Sequence, residues 1–131
     1  MIISEVVGSG SNRVKLTDLY DESELNDESE QLYHFTDPDN FDVYYSVKTI
    51  SPSDIRKLLT PDGNSKLVDA YKRFATSEQK KLVKFKASRF DHDRIVVLYN
   101  NRVVDGNHHL MAGLLSNNDV KFIDISDEEQ F

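Results

Sequence analysis

At 131 residues the chain has room for one domain with one substantial core. Its 38% hydrophobic and 10% aromatic content supports a globular fold, and 30% charged residues favour solubility. With no cysteine, disulfides, a thiolate nucleophile and cysteine-ligated zinc are excluded. The opening run MIISEVV is too short and too soon charged for a signal peptide, and no apolar run approaches membrane-spanning length. These features predict a cytoplasmic protein with no membrane partner.

The net charge of −7 hides a split. Residues 18–42 hold ten acids and no Lys or Arg, whereas residues 66–102 hold ten bases against four acids. A basic region suited to phosphate, screened by an acidic stretch, is one reading; two solvated faces that attract each other is the other.

In chain order, Met1–Val7 carries the Ile/Val content of a first strand or docking segment, and Gly8 to Asn12 is a flexible loop. Val14, Leu16, Leu19 and Tyr20 suit a short amphipathic turn. Residues 21–31, inside the acidic segment 18–42, are expected to be peripheral and partly mobile, because they offer little to bury. Val43–Ile50 reads as a strand. Ser51, Pro52 and Asp54 open a helix that buries Ile55, Leu58 and Leu59. Ser65 is the expected cap of a second helix carrying Leu67, Val68, Tyr71 and Phe74. Thr76 and Gln79 form the capping box of a third, with Leu82, Val83 and Phe85 inward.

From Arg94 the pattern sharpens. Arg94–Tyr99 is a β-branched apolar run, Asn100-Asn101 suits a two-residue hairpin turn, and Arg102–Val104 returns the chain to Asp105. Gly106 permits a sharp corner, and Asn107 is the expected N-cap of a helix. On that helix Leu110, Met111, Leu114 and Leu115 share one side, with His109 and Gly113 opposite; Asn117-Asn118 stops it. Val120, Phe122, Ile123 and Ile125 form the last strand, and 126–131 is a frayed tail. The order predicts a single α+β domain, 1–131 with a core at about 43–125, built as a small mixed sheet covered by helices. The 107–115 helix would be a right-handed crossover if 102–105 and 120–125 lie parallel. A strand, a glycine corner and a helix start together make an anion site, since free N–H groups and the positive helix end point at its occupant.

The run IVVLYNNRVVDGNHHLMAGLLSNNDVKFIDI resembles the core of the ParB N-terminal/sulfiredoxin-like family, a strand and turn leading to a D-G-x-H-R-type corner that opens a helix. The resemblance covers about residues 94–125; 43–60 is looser, and 1–42 matches nothing named. It implies a compact ParB/sulfiredoxin-like domain of the kind frequent in bacteriophage and mobile-element genomes, acting in the host cytoplasm. It further implies a nucleoside triphosphate with Mg²⁺ at the corner, and a nuclease-like, DNA-binding or NTP- or phosphodiester-hydrolysing activity. Two departures stand out. Asn107 occupies the place of the sulfiredoxin cysteine, which excludes that activity, and His108 and His109 stand where the partition branch has phosphate-gripping arginines.

The candidate catalytic residues are therefore Asp105, His108 and His109, and the candidate nucleotide-binding residues Gly106, Asn107, His108 and His109. Asp105 suits orienting His108, holding a nucleotide's metal or acting as a base, and equally suits capping a turn. Two imidazoles are poorly matched to a helix N-terminus on stability grounds alone. Lys84, Lys86, Arg89 and Arg94 are the candidate nucleic-acid contacts, within a stripe that also includes Lys80 and Lys81; a solvated helix face is the plainer reading. Asp91, His92 and Asp93 could join His108 around a divalent ion, but no metal-ligand spacing marks them. Two functional classes follow: a nucleotide or DNA-phosphate hydrolase, or an inactive interaction module that binds a host protein through the acidic surface.

Overall fold

Short polar turns divide residues 12–127, the part described by a computed structural model, into brief strands and helices. In order these are β1 (Arg13–Val14), α1 (Leu16–Leu19), α2 (Glu22–Leu25), 3-10 turns at Gln31–Phe35 and Pro38–Asn40, β2 (Tyr45–Ser46), β3 (Lys48–Ile50) and α3 (Pro52–Ile55). There follow α4 (Leu67–Phe74), α5 (Ser77–Ser88), β4 (Ile95–Tyr99), β5 (Arg102–Asp105), α6 (Asn107–Ser116) and β6 (Val120–Asp124). The main sheet has the order β3-β6-β4-β5, and β1 pairs with β2 in a separate ribbon. This is the expected α+β arrangement around a small mixed sheet. The expected strand at Met1–Val7 and the last four residues of the tail lie outside the described residues.

Local signals explain most boundaries. Asn100 and Asn101 take φ of 49° and 69°, so β4 reverses into β5 over two residues. Ser51 Oγ accepts a hydrogen bond from the Asp54 N–H at 3.3 Å, and Thr76 and Gln79 cap each other as a box. Asn117 closes α6 in the left-handed conformation, φ 58°.

Several expectations are corrected. The 43–50 strand is broken: Tyr45–Ser46 pairs with β1, and Lys48–Ile50 pairs antiparallel with β6. Lys66, not Ser65, is the N-cap of α4 and gives it no side-chain cap; Gly106, not Asn107, is the N-cap of α6. The parallel neighbour of β6 is β4, and β5 runs antiparallel to β4 on its far side, so the crossover joins β4 to β6 by way of the hairpin.

Alternation along the strands builds two cores, one per sheet face. Val96, Leu98 and Val103 face α3–α6 and pack with Ile55, Leu58, Val83 and Leu110. Val97, Val104 and Ile123 face the other way and pack with Leu16, Leu25, Leu32 and Tyr45. Each fully buried aliphatic side chain stabilises by about 1.5–3 kcal/mol. The acidic segment is thus anchored by Leu25 and Leu32, both buried, rather than only peripheral. On α5 only Val83 of the expected inward trio is buried; Leu82 and Phe85 are 42% and 58% exposed.

Candidate functional site

The β4–β5 register sets the site. Leu98 pairs with Val103, yet Val97 pairs with Asp105, so Val104 is an extra residue in β5. Without this bulge Asp105 would face the α5–α6 side. With it, Asp105 shares the face of Val97, the side on which Tyr20 packs. The Tyr20 hydroxyl donates to Asp105 Oδ2, and Arg94 Nη2 lies 3.8 Å from the same oxygen. Burial, the neighbouring Asp105 charge and this hydrogen bond all push the Tyr20 phenol well above its ordinary pKa. Tyr20 therefore stays protonated and donates.

Gly106 makes the corner possible. Its φ is 106°, and a Cβ placed there would sit 2.7 Å from Val96 Cβ and closer still to Cγ1. The first intrahelical bond of α6 runs from the Leu110 N–H to the Gly106 carbonyl at 2.9 Å. The N–H groups ahead of it have no partner within the helix. Asn107 and His108 carry them to the wall of a cleft of about 900 Å³.

That cleft gathers residues from both layers: Tyr20 and Glu24 from the acidic segment, Lys86 from α5, Arg94 ahead of β4, and Asp105 through His108 from the corner. Lys86, Arg94 and His108 share its half-buried floor, two fixed cations beside an imidazole. Desolvation first, then Lys86 and Arg94, lower the His108 pKa; desolvation and Arg94 likewise lower that of Lys86. His108 is accordingly a neutral imidazole at pH 7. The rim is acidic. Asp18, Glu24 and Glu30 stand on one wall and Asp91 and Asp93 on another, leaving the lining with six carboxylates, Asp105 included, against two fixed cations.

His109 does not join this group. It is 3% exposed and lies outside the cleft, stacked on Phe90 at 4.6 Å between ring centroids and 15° between planes. Its Nε2 is buried without a hydrogen-bond partner. Desolvation, reinforced by Arg94, lowers its pKa to about 4. The helical-wheel placement opposite the apolar side is corrected accordingly: α6 is buried on this side too, with Gly113 against Val120.

The four candidate nucleic-acid contacts divide. Lys86 and Arg94 line the cleft, while Lys84 and Arg89 are exposed outside it, Arg89 over the Phe85 ring at 5.4 Å. Asp91, His92, Asp93 and His108 do not converge: among the described residues no three or more His, Asp or Glu side chains form a group able to hold a metal ion. Asp105, the one carboxylate at the corner, is already held by Tyr20 and Arg94, so these residues form no ready-made cage for a metal ion. Sequence reasoning missed Tyr20 and the rim acids Glu24 and Glu30, whose partners lie far along the chain and leave no local signal. It also assigned Lys86 and Arg94 to a nucleic-acid stripe rather than to the corner. No helix of the described residues is long and apolar enough to cross a membrane. Compared with protein-family models, curated proteins and solved structures, the chain matches none.

Proposed function

We propose that the cleft binds the phosphate of a nucleotide, with its anionic oxygens against Lys86, Arg94, His108 and the free N–H groups at the start of α6. The observation that carries this reading is the cationic floor. Burial and then Arg94 lower the proton affinity of Lys86, and burial, Lys86 and Arg94 lower that of His108, beside the positive end of a ten-residue helix; an anion is what relieves both. The likeness of residues 94–125 to the ParB/sulfiredoxin-like corner points the same way. Asp105 serves to hold Arg94 and Tyr20 in place. A neutral His108 is the one group on the floor able to take a proton from an attacking water, so hydrolysis, if it accompanies binding, runs through His108. Any Mg²⁺ arrives on the nucleotide's own phosphates.

The acidic rim favours a short phosphate ligand over a DNA track, since a long polyanion must pass the carboxylates of both walls. It equally supports a second reading, an interaction module that meets a basic host-protein surface through residues 18–42. Calorimetry with ATP, CTP, GTP and pyrophosphate, with and without Mg²⁺, separates the two. Binding that is lost in Lys86→Ala and Arg94→Ala supports the phosphate site. No heat with any of these ligands removes it and leaves the interaction module.

A further inference from the structure

The cleft leaves the outer face of α5 unused. α5 turns Val83 inward, so Lys81 and Phe85 lie on the opposite side of the helix, with Leu82, Lys84 and Arg89 flanking them. Leu82 and Phe85 project between these cations, and the Arg89 guanidinium rests over the Phe85 ring. Among the described residues no carboxylate forms an ion pair with Lys80, Lys81, Lys84 or Arg89. Glu78 is the one carboxylate on α5 and stands a turn ahead of Leu82; unburied apolar side chains flanked mostly by unpaired cations are the ingredients of an interface.

The complement stands on the other side of the sheet. Residues 18–42 carry ten acids and no Lys or Arg. Leu25 and Leu32 pin that segment inward, leaving Glu22, Glu28, Asp37 and Asp39 exposed, together with Tyr33 at 36%. The segment packs on the Val97 face of β4, and α5 packs on the Val96 and Leu98 face. The sheet therefore separates the two layers, and the α5 outer face cannot reach the acidic one within a single molecule.

The geometry points to a head-to-tail contact between copies of this chain, the α5 outer face of one molecule seated on the acidic, tyrosine-bearing face of the next. Both faces combine charge with an apolar centre, and their charges are opposite. Because the two patches differ, the contact is heterologous, and repeating it from copy to copy builds a ring or an open chain. The net charge of −7 opposes association only weakly at ordinary salt, where screening acts over about 8 Å and the facing charges decide.

Sedimentation velocity on the full chain, across a wide concentration range at low and high salt, tests this. The average mass is expected to rise with concentration at low salt and to return to that of the monomer at high salt. Lys81→Glu with Lys84→Glu removes one face, and Glu28→Lys with Asp39→Lys removes the other; circular dichroism establishes that each variant is folded. Each double variant alone is expected to stay monomeric, and an equimolar mixture to form a one-to-one complex that grows no further. All four positions lie outside the cleft, so nucleotide calorimetry is expected to be unchanged in both variants. A wild-type chain that is monomeric at every concentration, or double variants that still self-associate, would overturn the proposal. So would a monomeric wild type that retards single-stranded DNA through Lys81 and Lys84, which would assign the face to nucleic acid.

Discussion

Tyr20 donates its hydroxyl to Asp105 across 85 positions of chain, joining the acidic segment to the corner. The bond leaves one carboxylate oxygen shared between a phenol and Arg94. Tyr20→Phe keeps the ring and removes only the donor. A hydrogen bond to a charged group contributes about 1.5–3 kcal/mol. Since the Asp105 side chain is 39% exposed and water can replace the phenol, the loss belongs at the low end of that range. Urea unfolding checks it: unchanged stability would mean that the contact adds nothing beyond hydration.

Gly106→Ala meets two obstacles, a φ of 106° and the side chain of Val96. Strain at such a φ costs about 1–3 kcal/mol and forced overpacking a similar amount. A destabilisation of about 2–5 kcal/mol is expected, with loss of nucleotide binding in whatever fraction remains folded. Adding Val96→Ala should recover only the steric share, because the backbone conformation is still imposed. Full recovery would show that φ is not limiting.

The sequence-legible parts of this molecule are those whose cause is local. The Asn100-Asn101 turn, the Ser51 and Thr76 caps and the glycine corner each follow from a few adjacent residues and were readable as such. The bulge at Val104 has no local marker, and it decides which way Asp105 faces. The burial of His109 is hidden from a helical wheel, which assumes one buried side, whereas α6 is packed between the sheet and its neighbours. Leu25 lies in an acid-rich run whose average composition says nothing about the one side chain that reaches the core.

Leu25 supplies a test of that last point. It is fully buried against the core on the Val97 side, so Leu25→Ala should cost about 2–5 kcal/mol, the usual range for a cavity left by a large aliphatic residue. Deleting residues 21–31 is expected to lower the melting temperature rather than leave the fold untouched. A deletion variant that melts as the full chain does would return the segment to the periphery.

His109 makes stability fall in acid. Its folded pKa of about 4 lies below the ordinary histidine value of 6.5, so the folded state takes up its proton later than the unfolded chain does. Its neutral form is compatible with the fold at full stability above about pH 6.5, and stability drains away as pH falls from there toward 4. The loss is of order 3 kcal/mol by pH 4. His109→Phe keeps an aromatic ring against Phe90, removes the orphaned Nε2 and should flatten this part of the pH profile. At neutral pH it should raise stability by about 1 kcal/mol. His109→Arg, which would restore the arginine of the partition branch, should instead destabilise, because it buries a guanidinium outside the cleft. A His109→Phe profile as steep as the native one between pH 6.5 and 4 would assign the acid sensitivity elsewhere.

The acidic rim gives the clearest separation between screening and contact. If Glu24 and Glu30 only oppose an incoming phosphate, neutralising them must strengthen nucleotide binding. Glu24→Gln retains the hydrogen bond that residue 24 accepts from the Asp21 N–H at 2.9 Å, so the wall should keep its shape. Each exposed charge removed is worth about 0.2–1 kcal/mol, or roughly 1.4- to 5-fold in affinity. The gain should shrink at high salt, because these carboxylates act through solvent. On the floor the sign reverses: Lys86→Ala or Arg94→Ala should weaken binding by about 1.5–3 kcal/mol. Affinity should also rise as pH falls below the ordinary histidine range. His108 is neutral in the free protein, and a bound phosphate favours its protonated form. Calorimetry of the Glu24→Gln/Glu30→Gln variant at two salt concentrations reads the first effect directly. Weaker binding in that variant would mean that the rim carboxylates touch the ligand, through a base edge or an accompanying cation, and that the acidic wall belongs to the site rather than guarding it.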